Sequence, residues 1–475
     1  MRSFVRFAAC AWFAYAALTA GAPFAIASGT FPHSAMTCSA SGNSPAGERL
    51  GLPARLATGI HSPAARCVDP TLANPEDSGS GLFVADIVLG QLNFTNNTPY
   101  LPAGIGSGGG VAIDKSVTPN RVYFADSFYN RILAWNDAAS FANGQAADLV
   151  LGQADFYSVS PNPTGINASG LSMPEGIAVD SSGNVYVDDT GNNRVLEYNT
   201  PFASCSSPPC VGPAASVVFG QGSGHGASGG DFTTANAALG RTGLNFPVGV
   251  ALDSHNNLFV ADELNSRVLE YDAPLATPAT PNVTANRVYG QGSTGDSFDT
   301  ATPGVSQTMM LGAVAVALDP SDNLYASDEA NRVCEFDTPL TNFTMNRVFG
   351  QGAANNFTGS TPATTQSGTK RVFSLGFDSA GDLFISDTEN ARVLEFVPPF
   401  PSGSSIVNAA AVWGQGTSGD TFTTSTCYDG SSGNAISAST MCSPAGVAFD
   451  TSDNLYAADF QLQRILRFQP ATSGT

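Results

Sequence analysis

Six copies of one pattern of short apolar runs constrain this chain more than any other feature of its sequence. In the clearest copy, one run ends at Asp180, a second ends at Asp189, and a third begins at Arg194. The aspartate of the second run recurs as Asp126, Asp189, Asp262, Asp328, Asp387 and Asp459, and the arginine recurs as Arg131, Arg194, Arg267, Arg332, Arg392 and Arg464. A long internal period of this kind is typical of repeat architectures.

The runs indicate β-strands, because they are short, rich in Val, Leu, Ile, Tyr and Phe, and bounded by turn residues. A fourth apolar run completes each unit and ends in Gly-Gln, as at Gly220-Gln221. Four strands per unit and six units predict an all-β fold, a six-bladed β-propeller of four-stranded antiparallel blades.

The order of the runs also predicts how the ring closes. The first Gly-Gln run, 87–91, precedes every three-run unit, and the last unit, 446–468, has no Gly-Gln run after it. We therefore expect the N-terminal run to become the outer strand of the last blade, which leaves no open edge.

The recurring Asp and Arg flank a tight hairpin between the second and third strands of each unit. A carboxylate and a guanidinium in these positions can pair across the turn, and six copies favour a structural brace over six active sites. Another recurring mark is a Phe in each connection between blades, which we expect to pack between blades. These residues are Phe94, Phe156, Phe232, Phe298, Phe357 and Phe422.

The units resemble NHL repeats, whose marks here are the Pro-x-Gly at Pro174-Glu-Gly176, the Asn-hydrophobic run to Asp189 and the Asn-x-Arg-Val that ends at Val195. The resemblance covers roughly 82–470 and is closest to bacterial secreted NHL proteins that carry Gly-Gln and Asp-Phe between blades. It implies a propeller that binds a protein, a peptide or a glycan. Related propellers include lyases and lactone hydrolases with a divalent cation in the central channel.

Composition argues against nucleic-acid partners. The formal net charge is −20, and the only lysines are Lys115 and Lys370, whereas phosphate binding needs a basic surface. The RNA binding of some animal NHL domains is therefore not expected here.

The N-terminus has the marks of a secretory signal over 1–27: Arg2 and Arg6, a short apolar stretch, and the small-x-small site Ala25-Ile-Ala27. A membrane anchor is the weaker alternative, since Gly21 and Pro23 interrupt the stretch. We expect an irregular extension over 28–81, the propeller over 82–470, a loose tail over 471–475, no membrane span after signal removal, and a secreted or periplasmic protein.

The cysteines agree with export. Cys205 with Cys210, Cys427 with Cys442, and Cys38 with Cys67 are the candidate disulfides, although spacing alone does not determine the connectivity. Cys334 is left over within a strand, and we expect it to be a buried free thiol.

Functional residues are expected on the face that holds the hairpins and the long inserts between blades, which we call the top face. Two hairpins are apolar where the others are polar, in blades 1 and 6, which ring closure makes neighbours. Phe128, Tyr129, Phe460 and Leu462 would then form a binding patch, unless the N-terminal extension covers them.

Glu175 is the second candidate on the top face. It is the only charged residue among the six that occupy the x position of Pro-x-Gly, at the mouth of the channel. It could be a cation ligand or a base, or simply a solvated loop residue. The histidines have no metal-ligand spacing, so a three-histidine zinc site is not expected, whereas oxygen ligands for calcium are available.

These observations favour a non-catalytic binding propeller that takes its ligand through the top-face loops. No cofactor is required by this interpretation, and calcium is the one that the acidic residues would permit. The alternative is a propeller enzyme of the lyase or lactone hydrolase type with a divalent cation in the channel. The apolar inner strands weigh against that alternative.

Overall fold

A computed structural model describes residues 83–96, 105–431 and 434–470. The predicted signal peptide, the predicted extension over 28–81, the tail over 471–475 and the Cys38–Cys67 pair lie outside these residues. The described residues form six antiparallel sheets, each built around four strands. The predicted six-bladed β-propeller is thus confirmed.

Every blade has the same strand order from the channel outwards. The inner strands are β2 (Val111–Asp114), β6 (Pro174–Val179), β11 (Pro247–Leu252), β15 (Ala313–Leu318), β19 (Val372–Phe377) and β23 (Pro444–Phe449). The second strands are β3 (Arg121–Asp126), β7 (Val185–Asp189), β12 (Leu258–Asp262), β16 (Leu324–Asp328), β20 (Leu383–Asp387) and β24 (Leu455–Asp459).

The outer half of each blade begins at the recurring arginine. The third strands are β4 (Arg131–Trp135), β8 (Arg194–Tyr198), β13 (Arg267–Tyr271), β17 (Arg332–Phe336), β21 (Arg392–Phe396) and β25 (Arg464–Phe468). The outer strands are β5 (Leu149–Leu151), β10 (Val217–Phe219), β14 (Arg287–Tyr289), β18 (Arg347–Phe349), β22 (Ala411–Trp413) and β1 (Ile87–Leu89).

Two further kinds of element are present in the described part of the chain. A short strand, β9 (Cys210–Val211), adds to the outer edge of blade 1 in parallel with β5. The helical segments are short 3-10 turns, at Ser127–Tyr129, Ala138–Ser140, Thr190–Asn192, Pro201–Ser204, Gly226–Ser228, Glu263–Asn265 and Thr388–Asn390. The described residues contain no helix that is long and apolar enough to cross a membrane.

The ring closes as predicted. Strand β1 pairs antiparallel with β25, with Val88 opposite Leu466, so the first strand completes the last blade. Val88 and Leu89 are both buried. The closing strand therefore belongs to the core and leaves no exposed edge between blades 6 and 1.

The core lies between adjacent sheets. One cluster joins Tyr186 and Val195 of blade 2 to Val250 and Leu258 of blade 3, and equivalent clusters occupy the other blade boundaries. Because the second and third strands are covered on both faces, they are apolar along most of their length and do not alternate. The recurring Phe of each connection packs in or against these clusters, as predicted.

The Asp/Arg pairs brace the hairpins. Arg194 Nε lies 2.6 Å from Asp189 Oδ2, with both side chains fully buried, and four other blades repeat the pair at 2.7 to 2.9 Å. In blade 6 the distance from Arg464 Nε to Asp459 Oδ2 is 3.9 Å. The shorter hairpin of blade 4 differs, as expected, and lacks the 3-10 turn.

The Gly-Gln motif also has a structural role. Gln221 Nε2 donates to the carbonyl oxygen of Asn193, the left-handed residue of the same blade's hairpin, at 2.8 Å. The preceding Gly220 has φ +87°, and a Cβ there would stand 2.6 Å from Leu244 Cδ1. Glycine is therefore required at position 220 for two reasons: the backbone is left-handed, and Leu244 lies too close for a side chain.

The cysteines pair as predicted where they are described. Cys205 and Cys210 form a disulfide, and so do Cys427 and Cys442, with Cα–Cα distances of 5.8 and 4.0 Å. Cys334 is free and buried, and burial raises its pKa far above the ordinary value. Two disulfides indicate an oxidising, exported environment.

Candidate functional site

The central channel is a cavity of about 280 Å³ that is lined mostly by small and apolar residues. Its lining comes from all six inner strands and consists mainly of Gly, Ala, Val, Leu and Phe. Among the described lining residues, the charged ones are Glu175, at the top end of β6, and Lys115, which follows the bottom end of β2. The structure therefore places the predicted Glu175 at the channel mouth.

Two further glutamates lie near Glu175 and were not predicted from the sequence. In three blades the residue after the brace aspartate is a hydroxyl residue that contacts the start of the next blade's inner strand. In blades 2 and 5 it is Thr190 or Thr388, whose hydroxyl donates to Pro247 O or Pro444 O at 2.6 Å. Blades 3 and 4 carry Glu263 and Glu329 instead. Two neighbouring blades thus carry a carboxyl group at a position where blades 1, 2 and 5 have a hydroxyl, and in blade 4 Ser327 Oγ donates instead to Val372 O of the next blade at 3.0 Å.

We call Glu175, Glu263 and Glu329 the acidic arc. Burial, followed by the charges of Glu329 and Glu175, raises the pKa of Glu263 to about 8, and Arg371 opposes this shift. Burial likewise raises the pKa of Glu175 to about 7, again opposed by Arg371. Glu175 and Glu263, from two blades, therefore lie in an environment that disfavours their ionisation, and the charge of Glu329 from a third blade adds to this effect at Glu263.

Arg371 is the cation that faces the acidic arc. It immediately precedes β19 in blade 5, and its guanidinium carbon lies 4.9 Å from the ring centroid of Phe373. Its Nη1 is also 3.8 Å from Glu389 Oε1. One arginine thus opposes two carboxyl groups, those of Glu175 and Glu263, while also lying close to that of Glu389.

Asp188 lies behind Glu175 in the same blade. Its side chain is fully buried, and neither carboxyl oxygen has a hydrogen-bond partner among the described residues. Burial, followed by the charges of Glu175 and Asp189, raises its pKa well above the ordinary value. A carboxyl group in this position is stable only if it keeps its proton or, when ionised, pairs with a cation.

The predicted apolar patch is only partly exposed. Phe128 is 44% exposed, and its ring contacts that of Tyr129 with centroids 5.6 Å apart; Tyr129 and Phe460 are half-buried. Leu462 is fully buried against Ile436 and Cys442. Its predicted exposure is wrong, because the insert before blade 6 packs over that hairpin.

Three exposed apolar residues belong to the segments that carry or adjoin the acidic arc. Ser127 Oγ donates to Pro174 O, which places the blade 1 hairpin beside Glu175. Met173 precedes the same inner strand and is 39% exposed, and Leu264, next to Glu263, is 46% exposed. We call Phe128, Met173 and Leu264 the apolar rim of the channel mouth.

A different acidic group lies on the bottom face. Asp253, His255 and Asp322 have ligand atoms within 4.8 Å of one another. The aspartates are already engaged: Asp253 accepts from the backbone of its own turn at 2.8 and 2.9 Å, and Asp322 accepts from Ser254 Oγ at 2.6 Å. This arrangement is explained by turn structure and by a contact between blades 3 and 4.

Comparisons with known proteins agree with the repeat. The sequence model of the NHL repeat matches residues 171–198, the second blade up to the end of β8. No curated protein matches the chain.

Among solved structures, the chain is similar to virginiamycin B lyase from Staphylococcus aureus, with 12% identity, a TM-score of 0.36, and coverage of 74% of this chain and 78% of that one. It is also similar to hydrazine synthase from Kuenenia stuttgartiensis, with 10% identity, a TM-score of 0.44, and coverage of 78% and 97%. A gluconolactonase from Xanthomonas campestris shares 11% identity at a TM-score of 0.39, with coverage of 77% and 86%. The chain is therefore a six-bladed β-propeller that carries an NHL repeat over residues 171–198.

Proposed function

We propose that this propeller is an exported, non-catalytic binding protein that takes a positively charged group of a protein or peptide at the top mouth of its channel. The acidic arc is the observation that carries the proposal. Its members stand where other blades have apolar, small or hydroxyl residues, so they are not part of the repeated scaffold. A basic side chain would relieve the repulsion among them.

The surroundings of the arc favour a peptide or protein over a free ion as the main ligand. The apolar rim exposes Phe128, Met173 and Leu264 around the mouth, and an apolar border around a charged centre is typical of surfaces that bind side chains. The formal net charge of −20 adds long-range attraction for basic partners.

Fluorescence anisotropy with a lysine-rich peptide and a matched glutamate-rich peptide tests this function. The variant Glu263→Thr restores the residue of blades 2 and 5, and we expect it to weaken binding of the lysine-rich peptide about tenfold, as removal of one charge-assisted contact would. Asp299→Asn is the matched control, since it removes one negative charge from an exposed position. Equal binding of both peptides, or equal effects of both variants, would contradict the proposal.

A propeller enzyme of the lyase or lactone hydrolase type, with a divalent cation in the channel, is the second candidate. Glu175 favours it, because a carboxyl group with a pKa of about 7 suits general acid or base catalysis near neutral pH. The scarcity of polar side chains among the residues that line the channel favours the binding function instead. Turnover of lactone substrates that Glu175→Gln abolishes would decide for the enzyme.

A further inference from the structure

Asp188 departs from the repeat at the position just before the brace aspartate. The equivalent residues of the other blades are all small: Ala125, Ala261, Ser327, Ser386 and Ala458. In blades 4 and 5 the serine hydroxyl accepts a backbone N–H of the inner strand, from Ala315 at 3.0 Å and from Ser374 at 2.7 Å. Blade 2 is therefore the only blade that has a carboxyl group at this position.

The geometry directs this carboxyl group towards the channel mouth. The pairing of β6 with β7 shifts register between Pro174 and Ile177, so Glu175 and Gly176 bulge opposite Asp188. Asp188 Oδ2 would stand 2.1 Å from a Cβ added to Gly176, and the carbonyl oxygen of Val248 would stand 3.0 Å from the same point. Only glycine at position 176 leaves room for both oxygens.

The oxygens that converge here suit a hard cation. Asp188 supplies a buried carboxylate without a hydrogen-bond partner in the described structure, and Val248 supplies a backbone carbonyl from the next blade. Glu175, whose charge acts on Asp188, supplies a second carboxylate from the blade 1 side of the mouth, where its Oε2 would stand 3.4 Å from a Cβ added to Gly109. Carboxylate and carbonyl oxygens in a flexible arrangement are the ligands that calcium prefers. Glu175, Gly176 and Val248 also line the channel cavity, which gives an ion a route to the group.

We propose that Asp188 and Glu175 bind one divalent cation, of which Ca²⁺ is the representative, between the bulge of blade 2 and Val248 of blade 3. The ion provides the partner that the Asp188 carboxylate lacks, and it links two adjacent blades at the mouth. This proposal goes beyond the peptide-binding function and does not rest on it: the two sites share Glu175, but Asp188 belongs only to the cation site, and Glu263 and Glu329 belong only to the acidic arc.

Calorimetric titration of the full chain with Ca²⁺, after removal of metals with EDTA and at about 0.15 M salt to screen weak surface sites, tests the proposal. We expect one saturable site per chain in the wild type and its loss in Asp188→Ala, which restores the residue of blades 1, 3 and 6. Thermal melts in EDTA show whether that variant folds. If it does not, Asp188→Ser, as in blades 4 and 5, and Glu175→Val, as in blade 3, take its place.

The variants separate this proposal from the peptide-binding function. Glu263→Thr should keep the Ca²⁺ site and weaken binding of the lysine-rich peptide, whereas Asp188→Ala should lose the Ca²⁺ site. Absence of a saturable site in the wild type would overturn the proposal and would mean that Asp188 is a buried neutral acid. Unchanged Ca²⁺ binding in folded Asp188→Ala would overturn it equally.

Discussion

Asp86 Oδ2 lies 2.6 Å from Arg467 Nη2, although the two residues are 381 positions apart in the sequence. This ion pair stands beside β1 and β25, where the two ends of the propeller meet. Both side chains are shielded, with 17% and 13% exposure. Closure of the ring thus combines strand pairing, buried apolar side chains and a partly buried ion pair.

The closing strand should make a large contribution to stability. Leu89 is 1% exposed, and we expect Leu89→Ala to lower the free energy of unfolding by about 2–5 kcal/mol through lost burial and a cavity. Leu92 is 40% exposed, so Leu92→Ala should change it by less than about 0.5 kcal/mol. Chemical denaturation of both variants provides the measurement, and equal effects would contradict the role of β1.

The Gly-Gln glutamines should be structural. Gln291 Nε2 donates to Ser266 O at 2.8 Å and to Thr302 O at 3.1 Å, and Gln291→Ala leaves both carbonyls without these bonds. We expect a loss of about 1–3 kcal/mol in the free energy of unfolding. Gln461 is exposed, and Gln461→Ala serves as the control. If the two variants unfold alike, the motif has another role.

The two disulfides should differ in their effects. Cys427 and Cys442 are 15 residues apart and close the insert over Leu462, whereas Cys205 and Cys210 are 5 apart. The longer loop corresponds to about 3 kcal/mol of stabilisation, and the shorter loop to less. Double Cys→Ser variants of each pair, compared by thermal denaturation, should show the larger loss for 427/442. The reverse order would contradict this prediction.

In the absence of divalent cations, the free energy of unfolding should fall as the pH rises from the ordinary pKa of Glu263 to its pKa in the folded protein. Glu263 has an ordinary pKa of 4.5 and a folded pKa of about 8 in the presence of Glu329, Glu175 and Arg371. The folded state then holds more protons than the unfolded state between these values, so its stability is greatest below pH 4.5 and declines towards pH 8.

The brace aspartates also have raised pKa values and contribute to this decline. Glu263→Thr removes one titrating group, so the difference between wild type and variant measures the contribution of Glu263 alone. We expect melting temperatures of wild type and variant to converge at low pH and to separate above neutrality, with the variant more stable. Parallel curves across the whole range would show that Glu263 ionises normally.

The sequence predicted the scaffold well because the scaffold is repeated. Six copies reveal the brace, the outer strand that ends in Gly-Gln and the packing of the recurring Phe, and a missing strand at one end reveals the closure. Strand β9 has no such signal, because Cys210–Val211 lies in a loop without periodicity and pairs with β5 only through tertiary structure.

The candidate site was predicted only in part, because its members converge from different blades. Glu175 could be recognised from the sequence because the equivalent residues of the other five repeats are small or apolar. The same comparison along the columns on either side of the brace aspartate would have singled out Asp188, Glu263 and Glu329. Their burial and their mutual repulsion, however, depend on the neighbouring blade. Leu462 was misplaced for a related reason, since the sequence does not show that an insert covers it.

The buried arginines bind the inserts through backbone atoms alone. Arg194 donates to the carbonyl oxygens of Phe232, Asn167 and Gly170 at 2.7, 2.9 and 3.1 Å, which belong to the inserts on either side of its hairpin. Because carbonyl oxygens are supplied by every residue type, such an anchor places almost no demand on insert sequence. The inserts on this face can therefore diversify in sequence, or be grafted from one blade to another, while their attachment points stay constant.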